Sequence, residues 1–179
     1  MRFRIRKASI EDKETILEIL NHYNMGDFGH SEREEMPKLE NFILACDGDR
    51  AVGCAAFLLN DQSKLTINHQ QAETGSLAVI PEYRGKGVGA QLQIARMLRL
   101  VELGVKTLFT ETDTEANIRW YCRKFNYRVL HTRNKTDDFG DSSVPTFTLL
   151  ETDLEKWYNA HQARKALEMI QGFELSWYE

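Results

Sequence analysis

The residues best suited to chemistry run from Gly75-Ser76-Leu77-Ala78-Val79-Ile80 through Pro81-Glu82-Tyr83 to Arg84-Gly85-Lys86-Gly87-Val88-Gly89. A short apolar run, a proline stop and a glycine loop that opens an amphipathic stretch predict strand, turn and helix in succession. Glycines at 85, 87 and 89 let backbone approach a ligand closely. The first amides of the following helix have no intrahelical acceptor and lie at the positive end of its dipole. Such a loop is an anion cradle that suits a diphosphate, with Arg84 and Lys86 adding charge at its rim. It lacks both the Gly-x-x-x-x-Gly-Lys-Ser/Thr spacing of a nucleoside-triphosphate loop and the third glycine of a dinucleotide fold.

The elements that must position this loop follow from periodicity. Residues 3–7 alternate like a half-buried strand, and Ser9 to Asp12 reads as a helix-starting box. Ile16, Leu20 and Tyr23 then share one helical face, and a shorter helix is expected over 31–41. Apolar runs at 42–46 and 51–59, joined by Asp47-Gly48-Asp49-Arg50, predict a hairpin. A strand over 72–80, a helix over 87–103 closing at Gly104, and a strand over 105–110 have the order of a right-handed βαβ crossover, so the two strands should be parallel. A helix over 115–125, strands over 127–133 and 146–151 flanking a polar loop at 137–145, and a last helix over 153–170 complete the chain.

Composition narrows the function classes. A chain of 179 residues with 42% hydrophobic content is expected to form one globular domain over 1–179, with a core over about 3–151 and a C-terminal helical extension over about 152–179. No run approaches a membrane span, and Met1 to Arg6 alternates charge where a secretory signal needs continuous apolarity, so a cytoplasmic location and no membrane partner are expected. Cys46, Cys54 and Cys122 show no metal or disulfide spacing, the five histidines show no ligand spacing, and no metal is expected. A net charge of −4 argues against a nucleic-acid partner.

Arg84, Gly87 and Gly89 fit Arg/Gln-x-x-Gly-x-Gly/Ala, and Leu77 to Tyr83 supplies the approach to it. On these residues the chain resembles the GNAT superfamily of N-acetyltransferases, in element order from 3 to 151 as well as in the signature. The resemblance implies an α/β (α+β) fold of the acyl-CoA N-acyltransferase type, a central mixed twisted β-sheet flanked by helices, with an additional C-terminal helix. It implies acetyl-CoA (coenzyme A) as co-substrate, its pyrophosphate on amides from Gly85 to Ala90, Val88 included. The pantetheine arm would lie in a V-shaped slot between strands 72–80 and 105–110, bonded by backbone of Leu77 and Val79. Amides from Leu77 through Ala78 to Val79 would polarise the acetyl carbonyl.

The family commonly places an asparagine and a tyrosine on the helix after the slot. Asn117 and Tyr121 lie one turn apart, whereas the usual interval is seven, and Asn126-Tyr127 replaces the usual Gly-Phe pair, which brings Cys122 into register as well. Tyr121 is the expected acid, since a phenol of pKa about 10 can protonate a thiolate of about 8.5. A route through acetylated Cys122 is the rival mechanism. Glu73 is the expected base, as the only carboxylate on strand 72–80, with Glu111 and Asp113 as rivals. Asp27, Phe28, Glu32, Glu34, Glu35, Asp137, Asp138 and Asp141 fall in segments that select the acceptor in this fold, a small-molecule or peptide amine. The competing class is a non-catalytic acyl-CoA-binding module, with Trp177, Tyr178 and the last helix as a partner surface, a docking element on their own core or a homodimer contact.

Overall fold

The computed structural model describes residues 3–28, 35–160 and 174–176. Among them, eight strands form one mixed sheet in the order β6-β7-β5-β4-β3-β2-β1-β8. The strands are β1 Arg4–Lys7, β2 Phe42–Asp47, β3 Arg50–Leu58, β4 Gln71–Val79, β5 Thr107–Thr112, β6 Arg128–Asn134, β7 Thr146–Asp153 and β8 Glu174–Ser176. The helices are α1 Lys13–Asn21, α2 Val88–Glu102, α3 Glu115–Phe125 and α4 Leu154–Asn159. No helix among the described residues is long and apolar enough to cross a membrane.

The hairpin of β2 and β3 forms as expected, with Asp47 opposite Arg50 and Gly48 taking the positive φ of 60° that the turn needs. The β4-α2-β5 crossover also forms, with β4 and β5 parallel. Strand β5 is two residues later than expected, at Thr107–Thr112, because Gly104 to Lys106 are used in turning out of α2. That displacement brings Glu111 and Thr112 into the strand, where they pair with Leu149 and Thr148 of β7.

Two expectations fail. The helix over 31–41 is reduced to a single 3-10 turn, Leu39–Asn41, within the part that is described, and 35–38 are not helical. Met36 and Leu39 are drawn onto the core as extended backbone and a turn, since tertiary burial outweighs a weak local preference. The last helix ends at Asn159, before an extended Ala160, and its expected continuation to 170 lies outside the described residues, as do Trp177 and Tyr178. Strand β8, parallel to β1, had no signal in the periodicity.

Two apolar clusters hold the sheet. One joins Ile16, Ile19 and Leu20 of α1 to Phe42, Leu44 and Val52 and to Leu92 and Ala95 of α2. The other joins Ile94, Met97 and Leu100 of α2 to Leu108, Tyr121, Phe125, Leu150 and Trp157. Helix α2 contributes to both, so it is buried around much of its circumference.

Candidate functional site

Strands β4 and β5 pair only from Gln71–Thr107 to Thr74–Thr110. Beyond Thr74 the backbone of β4 turns away. Ser76 adopts φ 53°, and the register with β3 slips between Cys54–Ala78 and Ala56–Gly75, a bulge that bends the strand. Ile80 N–H bonds Val52 O across to β3, so by the two-residue alternation of a strand the main-chain groups of Leu77 and Val79 face the opening. Into this V opens a cavity of 1130 Å³. It is lined by Gly75 to Val79, by Thr110 to Thr114, and by the loop that starts α2.

At that loop Gly85 and Gly87 take φ 73° and 83°, a region costly for residues with a Cβ. A Cβ built at either position meets nothing within 4 Å, so the space beside the loop is open. The first ladder bond of α2 runs from Gln91 N–H to Gly87 O, which leaves the amides of Val88, Gly89 and Ala90 ahead of the ladder. Arg84, Gly85, Gly87, Val88, Gly89 and Ala90 all line the cavity. Lys86 does not. Its ammonium sits 4.6 Å from the centre of the ring of Tyr83, which does line it.

Tyr23, at the end of α1, was read from the sequence only as a packing residue. Its hydroxyl donates to Val79 O and accepts from Arg84 Nε at 2.7 Å, with the guanidinium 4.5 Å from its ring centre. Of the backbone groups expected to bond an extended ligand, the carbonyl of Val79 is therefore already engaged. Leu77 and the Val79 amide remain oriented to the cleft.

Helix α3 supplies the facing wall. Thr114 caps it, accepting from Asn117 N at 3.2 Å, and Asn126 ends it at φ 58°, which explains why asparagine can stand where a glycine is common. Asn117 and Tyr121 both line the cavity. The Tyr121 ring packs edge-on against Trp120 and Tyr127, and its hydroxyl accepts from Arg96 Nη2 at 3.0 Å. Cys122 is not in the cavity wall; it packs among the apolar residues around α3, and burial pushes its thiol up. Tyr127 is also outside the wall, and burial pushes its phenol up to about 12.

The carboxylates fall out differently from expectation. Glu73 lies in the paired part of β4, opposite Phe109, accepts from Ser63 Oγ at 2.8 Å and does not line the cavity. Its place as a base is corrected by that register: the slot opens one residue past Thr74, above it. Glu111 and Asp113 do line the cavity, and both are already paired. Arg133 holds Glu111 through two bonds of 2.8 and 2.7 Å, and Lys135 holds Asp113 at 3.0 Å. The Asp113 carboxylate also accepts from Asp141 N, and Lys135 also donates to Asp141 O, so this pair shapes the loop after β6. That loop reaches α1's end, where Gly140 N bonds Asn24 O at 3.0 Å and Asn24 Nδ2 bonds Asp138 O.

Of the acids expected to attract an acceptor, only Asp141 lines the cavity; Asp27, Glu35, Asp137 and Asp138 do not, nor does Phe28, and Glu32 and Glu34 lie outside the described residues. The wall there is made instead by groups such as Asn21, Met25, Phe139 and Phe147. No group of three or more His, Cys, Asp or Glu among the described residues is placed to hold a metal ion.

The sequence matches the model of the acetyltransferase (GNAT) family over residues 9–127. The chain belongs to the GNAT family. GNAT structures share the fold at low identity. An N-acetyltransferase from Staphylococcus aureus Mu50 is 20% identical, with a TM-score of 0.65 over 86% of this chain and 99% of its own. The Salmonella typhimurium protein yncA, solved with its cofactor acetyl-CoA, is 18% identical, with a TM-score of 0.64 over 86% and 95%. The ribosomal-protein-S18-alanine N-acetyltransferase of Escherichia coli is 15% identical, with a TM-score of 0.64 over 85% and 94%. No protein of curated function matches the sequence. At these identities the structural likeness speaks for the GNAT fold and leaves the acceptor open.

Proposed function

We propose that this GNAT protein transfers the acetyl group of acetyl-CoA directly to an amine bound beside it. The observation that carries the reading is the run of outward amides at positive-φ Gly85 and Gly87, opening onto the same cavity that Tyr121 walls. The open space at those glycines suits a diphosphate. Bound acetyl-CoA supplies an acetyl group activated as a thioester.

The chain's own groups do the rest. Amides from Gly85 to Ala90 hold the diphosphate, while the groups of Leu77 and the Val79 amide bond the extended arm as a strand bonds a sheet edge. The Leu77 amide polarises the carbonyl, where charge grows in the transition state; Ala78, paired with Cys54 of β3, has its main-chain groups turned away from the cleft and takes no part. Asn117 contacts the coenzyme one turn before Tyr121, and Tyr121 gives its hydroxyl proton to the departing sulfur. Glu111 and Asp113 are committed to Arg133 and Lys135, so the amine loses its proton to water instead of to a fixed carboxylate. The acceptor is an amine of a small molecule or of a peptide, reached past Asn24 and Phe139.

Calorimetric titration with acetyl-CoA and with CoA, followed by thiol release in a panel of alkylamines, polyamines, amino acids and peptides, tests this reading. Saturable binding and turnover with one amine class are expected. With water as base, kcat/KM should rise about tenfold per pH unit below the amine's own pKa. Binding without transfer to any amine would make the protein an acyl-CoA-binding module, and no binding at all would remove the coenzyme reading.

A further inference from the structure

Arg96 stands in the middle of α2 with 0% of its surface exposed. Its Nε donates to Gln93 Oε1 at 2.7 Å, Nη1 donates to Ala56 O and Gly75 O at 3.0 and 2.9 Å, and Nη2 donates to Tyr121 Oη at 3.0 Å. All four acceptors are neutral, and among the described residues no carboxylate forms an ion pair with this guanidinium. A cation buried without a counter-ion is expensive, and its field is little screened, so it favours negative charge on whatever touches it. What it touches is placed at the site. Gly75 is the first residue past the last β4–β5 pair, and Tyr121 is in the cavity wall.

The direction of the hydrogen bond carries the argument. A guanidinium has five N–H donors and no acceptor, so Tyr121 cannot give its own proton to Arg96. Among the described residues no other acceptor takes that proton either. The phenol is thus held by its lone pair, with its O–H left for the cavity.

We propose that Arg96 is a positioning residue for acetyl transfer: it fixes the Tyr121 hydroxyl with its proton free for the departing sulfur and balances the phenolate left when that proton goes. This rests on the reading of Tyr121 as the acid. As the carbon–sulfur bond breaks, sulfur keeps the electron pair. The Tyr121 O–H bond breaks and its proton joins sulfur, leaving a phenolate against Arg96 Nη2–H. The proton shed by the acceptor nitrogen as the amide forms returns to Tyr121 through solvent, and no further reactant is needed. The bonds to Ala56 O and Gly75 O anchor the guanidinium so that Nη2 is presented to Tyr121.

The test combines Arg96→Gln, Arg96→Lys, Tyr121→Phe and the two Arg96 changes in the Tyr121→Phe background. With an amine that turns over, Arg96→Gln should lower kcat about a hundredfold with coenzyme affinity within about twofold, and Arg96→Lys should recover about tenfold of that loss. In the Tyr121→Phe background the same changes should cost almost nothing further. Equal losses in both backgrounds would overturn the proposal and leave Arg96 a strap between strands; wild-type kcat in Tyr121→Phe would overturn the acid reading and this role with it. A second measurement needs no acceptor. CoA and desulfo-CoA are titrated into the full chain, and circular dichroism confirms that each variant is folded. The wild type should favour CoA, and Arg96→Lys and Tyr121→Phe should both shrink that preference; an unchanged preference in both would overturn the proposal.

Discussion

At one end of the cavity, residues 84–90 present main-chain amides around Gly85 and Gly87, whose own Cβ positions are open space. Elsewhere the wall includes the side chains of Glu111 and Asp113, which are paired with Arg133 and Lys135 outside the lining, the latter pair 3% and 11% exposed at its Lys and Asp side chains. A backbone cradle needs only a few consecutive residues in the right conformation. A side-chain wall needs β5, β6, β7 and the loop after β6 to converge, and its charges are consumed in holding that convergence. On the proposed function, generic recognition of a diphosphate and particular recognition of an acceptor would fall to materials of different kinds.

The sharpest way to break this contrast is Lys135→Met. It strands the Asp113 carboxylate in a buried place and should cost about 3 kcal/mol in urea unfolding. In a preparation kept folded at low temperature, acceptor KM should rise while coenzyme affinity holds. Equal loss of both would mean that the two ends are one unit. Gly87→Val attacks the other end. A β-branched residue at φ 83° carries backbone strain and points a side chain into the anion seat, so CoA affinity should fall about thirtyfold by calorimetry with acceptor KM unchanged.

The smallest effect comes from a control pair far from the cavity. Arg6 and the Ser9 amide hold the Asp12 carboxyl at about 2, against an ordinary 3.8. Because folding favours the charged form, this stability is fully present above the unfolded value and is lost as pH falls through about 2. Asp12→Asn should therefore cost about 1 kcal/mol at neutral pH, after allowance for solvent screening, and nothing by the acid end of the titration. Chemical denaturation across that range checks it, and neither KM nor coenzyme affinity should move.

The same contrast explains what could be read in advance. The hairpin at 47–50, the amphipathic face of α2 and the glycine loop are properties of neighbouring residues, and each appears where the sequence puts it. Asn117 and Tyr121 reach the wall because one helical turn separates them. Glu73 misses because its role depended on where two strands part, which is set by a bulge at Ser76 that carries no sequence signal of its own. Arg96 and Gln93 were hidden by the assumption that α2 is apolar on one face only. A charge set between Ile94, Ala95 and Met97 was the available clue, and its meaning needed the partners Ala56, Gly75 and Tyr121, which lie 21 to 40 residues away along the chain.

The sequence by itself determined the element order of the crossover, the conformation of the loop at 84–90 and the family, because local sterics and hydrophobic period act over a few residues. Only the tertiary structure decided which carboxylates reach the cavity, which are already neutralised, and which buried cation holds Tyr121. Those outcomes depend on strand register and long-range burial, where a shift of one or two residues moves a side chain to another face and another chemistry.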